Sequence, residues 1–219
     1  MNNYETHEVY RGFEIQVGNP GEVMDPRECD EGLISTMICS HKRYRLGDPH
    51  DYNTDDYDGW EDLLKQIEKD YTVLFPRLIR MYDHSGIGIS LNADSYPYNC
   101  PWDSGWIGYI FVDADKAKKV MGWKHLNVAR RAKLLEYMLS EFKYYAAYVG
   151  DEMIDVYIPG MNYYTGPYCD DDPWLEEARM EIDGYILNQQ QRHYEKVKNW
   201  IKNKVPLWAR KPLIIEGMK

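Results

Sequence analysis

The sequence predicts an α+β fold: a mostly antiparallel sheet with helices packed on one face, plus a C-terminal helical extension. Three observations predict it. Strand-like and helix-like segments alternate along the 219 residues without a regular strand–helix–strand rhythm. Hydrophobic residues make up 44% of the chain, as in globular proteins. Apolar and polar residues also alternate on either side of Arg11-Gly12, a pattern typical of an antiparallel hairpin.

The first half of the chain predicts strands separated by polar loops. Residues 7–17 form the hairpin and residues 33–41 a buried strand. Residues 58–71 predict a helix that Asp58 can cap. Its apolar face consists of Trp60, Leu63, Leu64, Ile67 and Tyr71.

The second half predicts more strands and the longest helices. Strands are expected at 73–84 (Pro76 at its edge), 86–91, 106–112 and 153–159, and a loop at 160–173. Helices are expected at 113–123, capped by Asp113 or Asp115, and at 128–149, capped by Asn127. A third helical pattern runs from 174 to about 204, with Gly184 as a point of interruption. The stripe predicted for the helix at 128–149 consists of Val128, Leu135, Met138, Leu139, Phe142 and Val149.

The domain organisation follows from these elements. Residues 1–183 are predicted to form the α+β core, and residues 184–219 a basic helical extension that can also belong to the same domain.

The charge distribution restricts the kinds of macromolecule that the protein is expected to bind. The net charge is −10, with acidic residues concentrated in 1–62 and 151–183. A main domain that binds nucleic acid would show a basic footprint, so direct nucleic-acid contact is expected only through the basic C-terminal segment. The acidic segments favour a basic protein surface or a nucleoprotein complex.

The compartment is predicted from the cysteines and the apolar runs. Four Cys without a CxxC pair predict reduced thiols in a cytoplasm. No apolar run is long enough for a membrane, and the polar, acidic N-terminus predicts that there is no signal peptide.

Two constellations can carry chemistry. A metal or acid/base site can form if the imidazoles and carboxylates of three segments converge. The candidates for it are His41, Asp48, His50, Asp83, His84 and Asp103. A nucleophile is the other option: Cys100 or Ser104, with His84 as base and Asp83 or Asp103 as orienting group. The same residues also fit ordinary turns, so neither a catalytic nor a metal site is assigned.

Glycines in the strand segments suggest close neighbours. Gly86 and Gly88 share one strand, and Gly105 and Gly108 flank the next. Neither pair precedes a helix, which excludes a phosphate-binding loop. Trp102 or Trp106 is expected to cover the bare backbone.

Charged residues at three places are candidates for contact with a partner. The acidic candidates are Asp55, Asp56, Asp58, Asp170, Asp171 and Asp172. The basic candidates, on the C-terminal helix, are Arg192, Lys196 and Lys198, although this helix also has the pattern of an ordinary packing helix.

Several segments resemble a family of uncharacterised proteins found mainly in phage genomes and mobile elements. The segments are DPRECDEG…MICSHKRYRLGDPHDY, LIRMYDHSGIGIS, CPWDSGWIGYIFV and, more loosely, LEEARMEID, which together span about residues 25–183. The resemblance implies a phage-type accessory protein in the cytoplasm of an infected cell, and it implies no catalytic residue and no cofactor.

The sequence therefore favours a protein that binds a macromolecule, most specifically an inhibitor of a host defence nuclease such as a restriction or CRISPR effector. A hydrolase that depends on a metal or on His and Asp is the alternative, and a virion or assembly component is a weaker one.

Overall fold

The computed structural model describes residues 4–29, 32–169, 172–206 and 209. The chain forms two units: the first contains residues up to Pro20 and from Ile154 onward, and the second spans Gly21–Met153. Each unit is built on a four-stranded antiparallel sheet. The predicted α+β class, with antiparallel strands and a C-terminal helix, is confirmed. The units divide at residues 20 and 153, and position 183 lies inside a helix.

The elements follow one another along the chain with two short 3-10 helices, at Thr54–Asp56 and Pro159–Met161. The strands are β1 (Glu5–Tyr10), β2 (Phe13–Gly18), β3 (Ser35–Cys39), β4 (Val73–Asp83), β5 (Ile87–Ser90), β6 (Ser104–Asp113), β7 (Ile154–Ile158) and β8 (Tyr163–Tyr168). The helices are α1 (Pro26–Cys29), α2 (Trp60–Asp70), α3 (Ala114–Met121), α4 (Val128–Val149) and α5 (Trp174–Lys204).

The first unit has the strand order β1-β2-β7-β8. The predicted hairpin β1–β2 is present, and its turn places both Arg11 and Gly12 at positive φ, as a two-residue hairpin loop requires. Helix α5 packs Trp174, Ala178 and Ile182 against the apolar side chains of β2 and β7. This helix covers one face of its sheet, as the sequence predicts.

Two features of the first unit differ from the sequence prediction. Strand β8 lies in the segment predicted as a loop; its Pro167 is tolerated because β8 is an edge strand. Helix α5 runs through Gly184 without interruption. A Cβ at this position would meet no atom within 4 Å, so the glycine marks a solvent-facing position and not a boundary.

The second unit has the strand order β3-β6-β4-β5 and helices on both faces of its sheet, not on one. Alternate side chains of β6 explain the difference, since both sets are apolar. Tyr109 and Phe111 pack with α2, whereas Ile110 and Val112 pack with α3 and α4. A strand buried on both faces is a continuous apolar run, so it lacks the apolar–polar alternation that identifies a strand covered on one face.

The helix caps are mostly as the sequence predicts. Asn127 accepts a hydrogen bond from the Arg130 amide at the start of α4, and Asp113 caps α3. The cap of α2 is Gly59 at φ 86°, not Asp58.

The buried stripe of α4 agrees with the prediction in part: Met138 and Phe142 are buried, and Leu135 and Val149 are partly buried against the core. It consists of Leu134, Met138, Phe142, Tyr145 and Ala147. Val128 and Leu139 are exposed, because the stripe follows the 3.6-residue period from position 134.

Among the described helices, none combines the length and the hydropathy that crossing a bilayer requires.

Candidate functional site

Three distant segments of the sequence meet at one end of the second sheet. The Arg43 guanidinium lies 3.2 Å from one carboxylate oxygen of Asp83, and the Tyr44 hydroxyl donates to the other at 3.3 Å. The Asp83 amide donates to the Asp103 carbonyl at 2.8 Å. One aspartate thus joins the HKRYR loop, the end of β4 and the turn before β6. We call this region the motif surface; it consists of His41, Lys42, Arg43, Tyr44, Arg45, Asp83, His84, Tyr96, Trp102 and Asp103.

Hydrogen bonds define the conformation of the loop that carries Trp102. The Asn99 amide donates to the Ser95 carbonyl, and the Cys100 amide to the Pro97 carbonyl. The Ser104 hydroxyl donates to the Tyr98 carbonyl at 2.8 Å and also contacts the Cys100 carbonyl. A loop with this many internal bonds presents its exposed side chains at little cost in conformational entropy.

Two aromatic side chains of this loop are open to solvent. Trp102 is 91% exposed and Tyr96 is 78% exposed. Tyr96 also packs its ring against Tyr82 of β4, with the ring centroids 6.4 Å apart. Large aromatic side chains on a rigid turn are typical of binding surfaces.

The residue that covers the strand glycine is not a tryptophan. A Cβ at Gly88 would lie 2.7 Å from the Tyr98 hydroxyl, so Tyr98 covers this backbone. At Gly108 a Cβ would meet the backbone of β3 at Ile38. Trp102 is therefore not needed to cover either glycine.

The residues of the nucleophile hypothesis do come together, but in a different order from a catalytic triad. The Cys100 thiol lies 3.6 Å from one carboxylate oxygen of Asp103, and His84 Nδ1 lies 3.7 Å from the other. The carboxylate, not the imidazole, therefore faces the thiol. The Ser104 hydroxyl proton is directed to backbone carbonyls, which gives Ser104 a structural role in the turn.

Tyr82 completes the polar side of this cluster. Partial desolvation, the hydrogen bond with Tyr96 and the carboxylate of Asp103 raise the pKa of the Tyr82 phenol. Tyr82 therefore remains a neutral hydrogen-bonding group at physiological pH.

Of the six residues of the metal or acid/base hypothesis, Asp83, His84 and Asp103 lie on the motif surface. The other three make structural contacts instead. His50 uses both ring nitrogens on backbone groups, the Cys39 carbonyl at 2.7 Å and the Tyr52 amide at 3.2 Å. His41 stacks on Tyr44 and accepts a hydrogen bond from the Arg43 amide. Within the described ranges, no group of three or more His, Cys, Asp or Glu side chains is placed to hold a metal ion.

Asp48, the remaining member of that hypothesis, belongs to a buried ion pair. Its carboxylate accepts from Arg27 at 2.6 and 2.9 Å and from the Met37 amide at 2.9 Å. The Arg27 side chain is 1% exposed and also donates to the Ser35 hydroxyl and carbonyl. The pair fastens the segment before β3 to the segment after it.

A second carboxylate holds the same strand from α4. The Glu141 oxygens accept from the Ile34 and Ser35 amides, both at 2.9 Å. Lys116 of α3 donates to the Ser35 carbonyl at 2.7 Å. Burial lowers the pKa of the Lys116 ammonium. This network satisfies backbone groups beside an edge strand, which is a structural role.

The acidic binding candidates lie at several places. Asp55 and Asp56 are exposed on the 3-10 helix at Thr54–Asp56, and Asp58 is exposed just after it. Asp172 accepts a hydrogen bond from the Cys169 amide, so it shapes a turn. Asp170 and Asp171 lie outside the described residues.

The basic binding candidates are exposed on α5. Arg192, Lys196 and Lys198 face solvent, and Lys198 pairs with Glu195 at 3.1 Å and lies over the Tyr194 ring. On the apolar side of this helix, Trp200 is exposed, whereas Ile201 is buried.

An open groove adds to the acidic surface of the second unit. It has a volume of about 710 Å³ and carries the carboxyl groups of Glu22, Asp25 and Glu28 beside Met24 and Tyr148. Its chemistry suits cationic groups with an apolar stem, such as Arg and Lys side chains.

Comparison of the chain with models of protein families, with curated protein sequences and with solved structures finds no match. The predicted resemblance to a phage family therefore stays a prediction.

Sequence reasoning did not identify Arg43, Tyr96 and Trp102 as exposed side chains of one surface. Two signals were present: a basic run, HKRYR, inside an acidic block, and a tryptophan within a turn sequence. Their convergence depends on the pairing of β4 with β6, which no local pattern reveals.

Proposed function

We propose that this protein acts by binding another macromolecule and that the motif surface is its main contact. The main observation in support is that Trp102 is 91% exposed on a turn whose conformation is fixed by hydrogen bonds. Burying one such side chain at an interface contributes strongly to affinity, because its apolar area is large and little entropy is lost.

The most specific form of the proposal is a phage-type inhibitor of a host defence nuclease. The net charge of −10 and the exposed carboxylates of Asp55, Asp56 and Asp58 are complementary to the basic groove in which a nuclease holds its substrate. Long-range attraction between these charges would speed association, and the aromatic contact would slow dissociation.

The test is phage plating on host strains that express this protein. One strain carries an active restriction or CRISPR system, and its isogenic partner lacks the nuclease. We expect expression to restore plating only on the strain that has the nuclease. Trp102→Ala should abolish the restoration, whereas Tyr137→Ala, which alters an exposed aromatic residue of α4, should not.

A charge variant tests the acidic contribution. The triple variant Asp55→Lys, Asp56→Lys, Asp58→Lys should lose restoration. The control Glu68→Lys, Glu136→Lys, Glu181→Lys makes the same change in net charge at dispersed exposed positions and should keep it. If neither the wild-type protein nor any variant alters plating across restriction and CRISPR strains, the inhibitor proposal is wrong.

A hydrolase is the second candidate, because Cys100, Asp103 and His84 lie together on the motif surface. Its test is the hydrolysis of ester, phosphodiester and peptide substrates, with metal analysis of the purified protein. A hydrolase predicts turnover that His84→Ala abolishes while the circular dichroism spectrum is retained.

A further inference from the structure

We infer that the motif surface binds single-stranded nucleic acid. The inference rests on the general proposal that the motif surface binds a macromolecule, and it names the chemistry of that partner; it does not depend on the nuclease-inhibitor form. It also differs from the sequence expectation, which left nucleic-acid contact to the C-terminal helix alone.

The first support is a set of open aromatic faces. Trp102 and Tyr96 offer their rings to solvent on one loop. Exposed rings stack on nucleobases of any sequence, and only unpaired bases have free faces to offer. An aromatic surface of this kind therefore favours a single strand over a duplex.

The second support is a neighbouring row of cations. In the HKRYR loop, Lys42, Arg43 and Arg45 are exposed, and the Arg43 side chain is 72% exposed. The contact of Arg43 with Asp83, and the bond from Asp83 to Asp103, place this loop beside the turn that carries Trp102. Cations beside stacking rings are what a phosphate backbone with splayed bases requires.

The third support is that the carboxylates within this surface already have partners. Arg43 and Tyr44 contact the two oxygens of Asp83, and His84 and Cys100 lie against those of Asp103. Arg43 offsets the negative charge of Asp83, and Lys42 and Arg45 add further positive charge at the edge. Asp94 is an exposed carboxylate at the far end of the loop. Its negative charge would repel phosphates, so the strand is expected to run along the side of the loop that carries Trp102.

The face of the sheet beside the loop extends the same chemistry. Arg80 of β4 is paired with Trp106 of β6 in the strand register, and its guanidinium lies over the Trp106 ring at 5.1 Å. The Arg80 Nε is buried without a hydrogen-bond partner among the described residues. A guanidinium stacked on a partly exposed indole offers a further cation and a further flat surface.

The test is fluorescence anisotropy of a labelled 12-nucleotide single strand titrated with the full chain in low salt. We expect saturable binding that is at least about ten-fold tighter than for the matching duplex. Trp102→Ala should weaken binding by roughly 5- to 100-fold, the usual effect of removing one stacking ring. Lys42→Glu with Arg45→Glu should weaken binding and reduce the slope of log affinity against log salt by about 0.7 for each phosphate that is no longer neutralised.

Control variants locate the contact. Tyr137→Ala and Lys133→Glu change an exposed aromatic and an exposed cation of α4 and should leave the affinity within about two-fold of the wild type, as the usual effect on distant surface sites suggests. Arg192→Glu with Lys196→Glu on α5 should do the same. A strand affinity that falls only in this last variant would overturn the inference, as would a wild-type chain that binds no single strand.

The two proposals can fail separately. Strand binding without any change in plating keeps the inference and removes the nuclease inhibitor. Restored plating that Trp102→Ala abolishes, in a chain that binds no strand, overturns the inference and assigns the motif surface to a protein partner.

Discussion

Two arginine–aspartate pairs in the second unit use the same chemistry for different purposes. Arg27 and Asp48 lie 2.6 Å apart, and the Arg27 side chain is 1% exposed. Arg43 and Asp83 lie 3.2 Å apart, and the Arg43 side chain is 72% exposed. The first pair is buried and bonded to the backbone beside β3, whereas the second frames a surface of open aromatic rings. The two pairs have the same residue types and differ in the burial of the arginine. Burial therefore distinguishes the pair that stabilises the fold from the pair that lies on an accessible surface.

The largest expected effect is on the buried pair. Arg27→Ala leaves the Asp48 carboxylate without its cation in a mostly buried position, and the free energy of unfolding should fall by about 3–5 kcal/mol. The measurement is urea unfolding followed by circular dichroism, with amide exchange at Met37 as a local probe. A decrease below about 1 kcal/mol would show that this pair is as dispensable as a surface pair.

The second prediction concerns the other carboxylate beside β3. Glu141→Ala removes the acceptor of two backbone amides and should cost about 1–3 kcal/mol. Hydrogen exchange at Ile34 and Ser35 should accelerate in the same variant. Glu136→Ala, an exposed change on the same helix, is the control and should stay within about 0.5 kcal/mol of the wild type. Equal decreases in both variants would mean that helix α4, and not the carboxylate contact, is responsible.

The third prediction tests the exposed pair directly. Arg43→Ala should lower the free energy of unfolding by less than about 1 kcal/mol, since the Arg43 guanidinium is largely hydrated already and the Tyr44 hydroxyl still donates to the Asp83 carboxylate. Raising the salt concentration should reduce even that difference. A large decrease would contradict the division between a structural pair and a surface pair.

The smallest expected effect concerns Asp155, a carboxylate whose pKa is shifted by desolvation and not by an arginine partner. Burial raises the pKa of the Asp155 carboxyl on β7 above its unfolded value. Between these two pKa values the folded state holds more protons, so stability falls as the pH rises through this window. Asp155→Asn should therefore stabilise the protein at neutral pH by less than about 1 kcal/mol, with no gain below the ordinary carboxyl pKa. Equal gains at both pH values would exclude titration of Asp155 as the cause.

Local patterns predicted much of the fold, because their causes are local. The caps Asn127 and Asp113 were found because an N-cap bonds to an amide two or three residues away. Strand β8 was missed because a Gly-Pro pair and an edge position resemble a loop. On α4, Leu134 was missed because apolar residues occupy both positions 134 and 135, and only packing decides which is fully buried.

The candidate site was predictable only in part, since its contacts are distant in sequence. The segment that holds Asp83, His84, Asp103 and Cys100 was recognised, and the structure brings them together. The partner of Asp48 is Arg27, 21 residues away, and no spacing rule selects that pair. Either Trp102 or Trp106 was expected to cover the strand glycine, but Tyr98 covers Gly88 and Trp102 is exposed.

The most direct measurement of the central claim, that the motif surface is available for binding and is not needed for folding, compares two variants in one experiment. Urea unfolding of Trp102→Ala and Arg27→Ala should give a midpoint close to the wild type for the first and a strongly lowered midpoint for the second. A Trp102→Ala variant that is destabilised as much as Arg27→Ala would show that Trp102 supports the fold, and the account of the motif surface would be wrong.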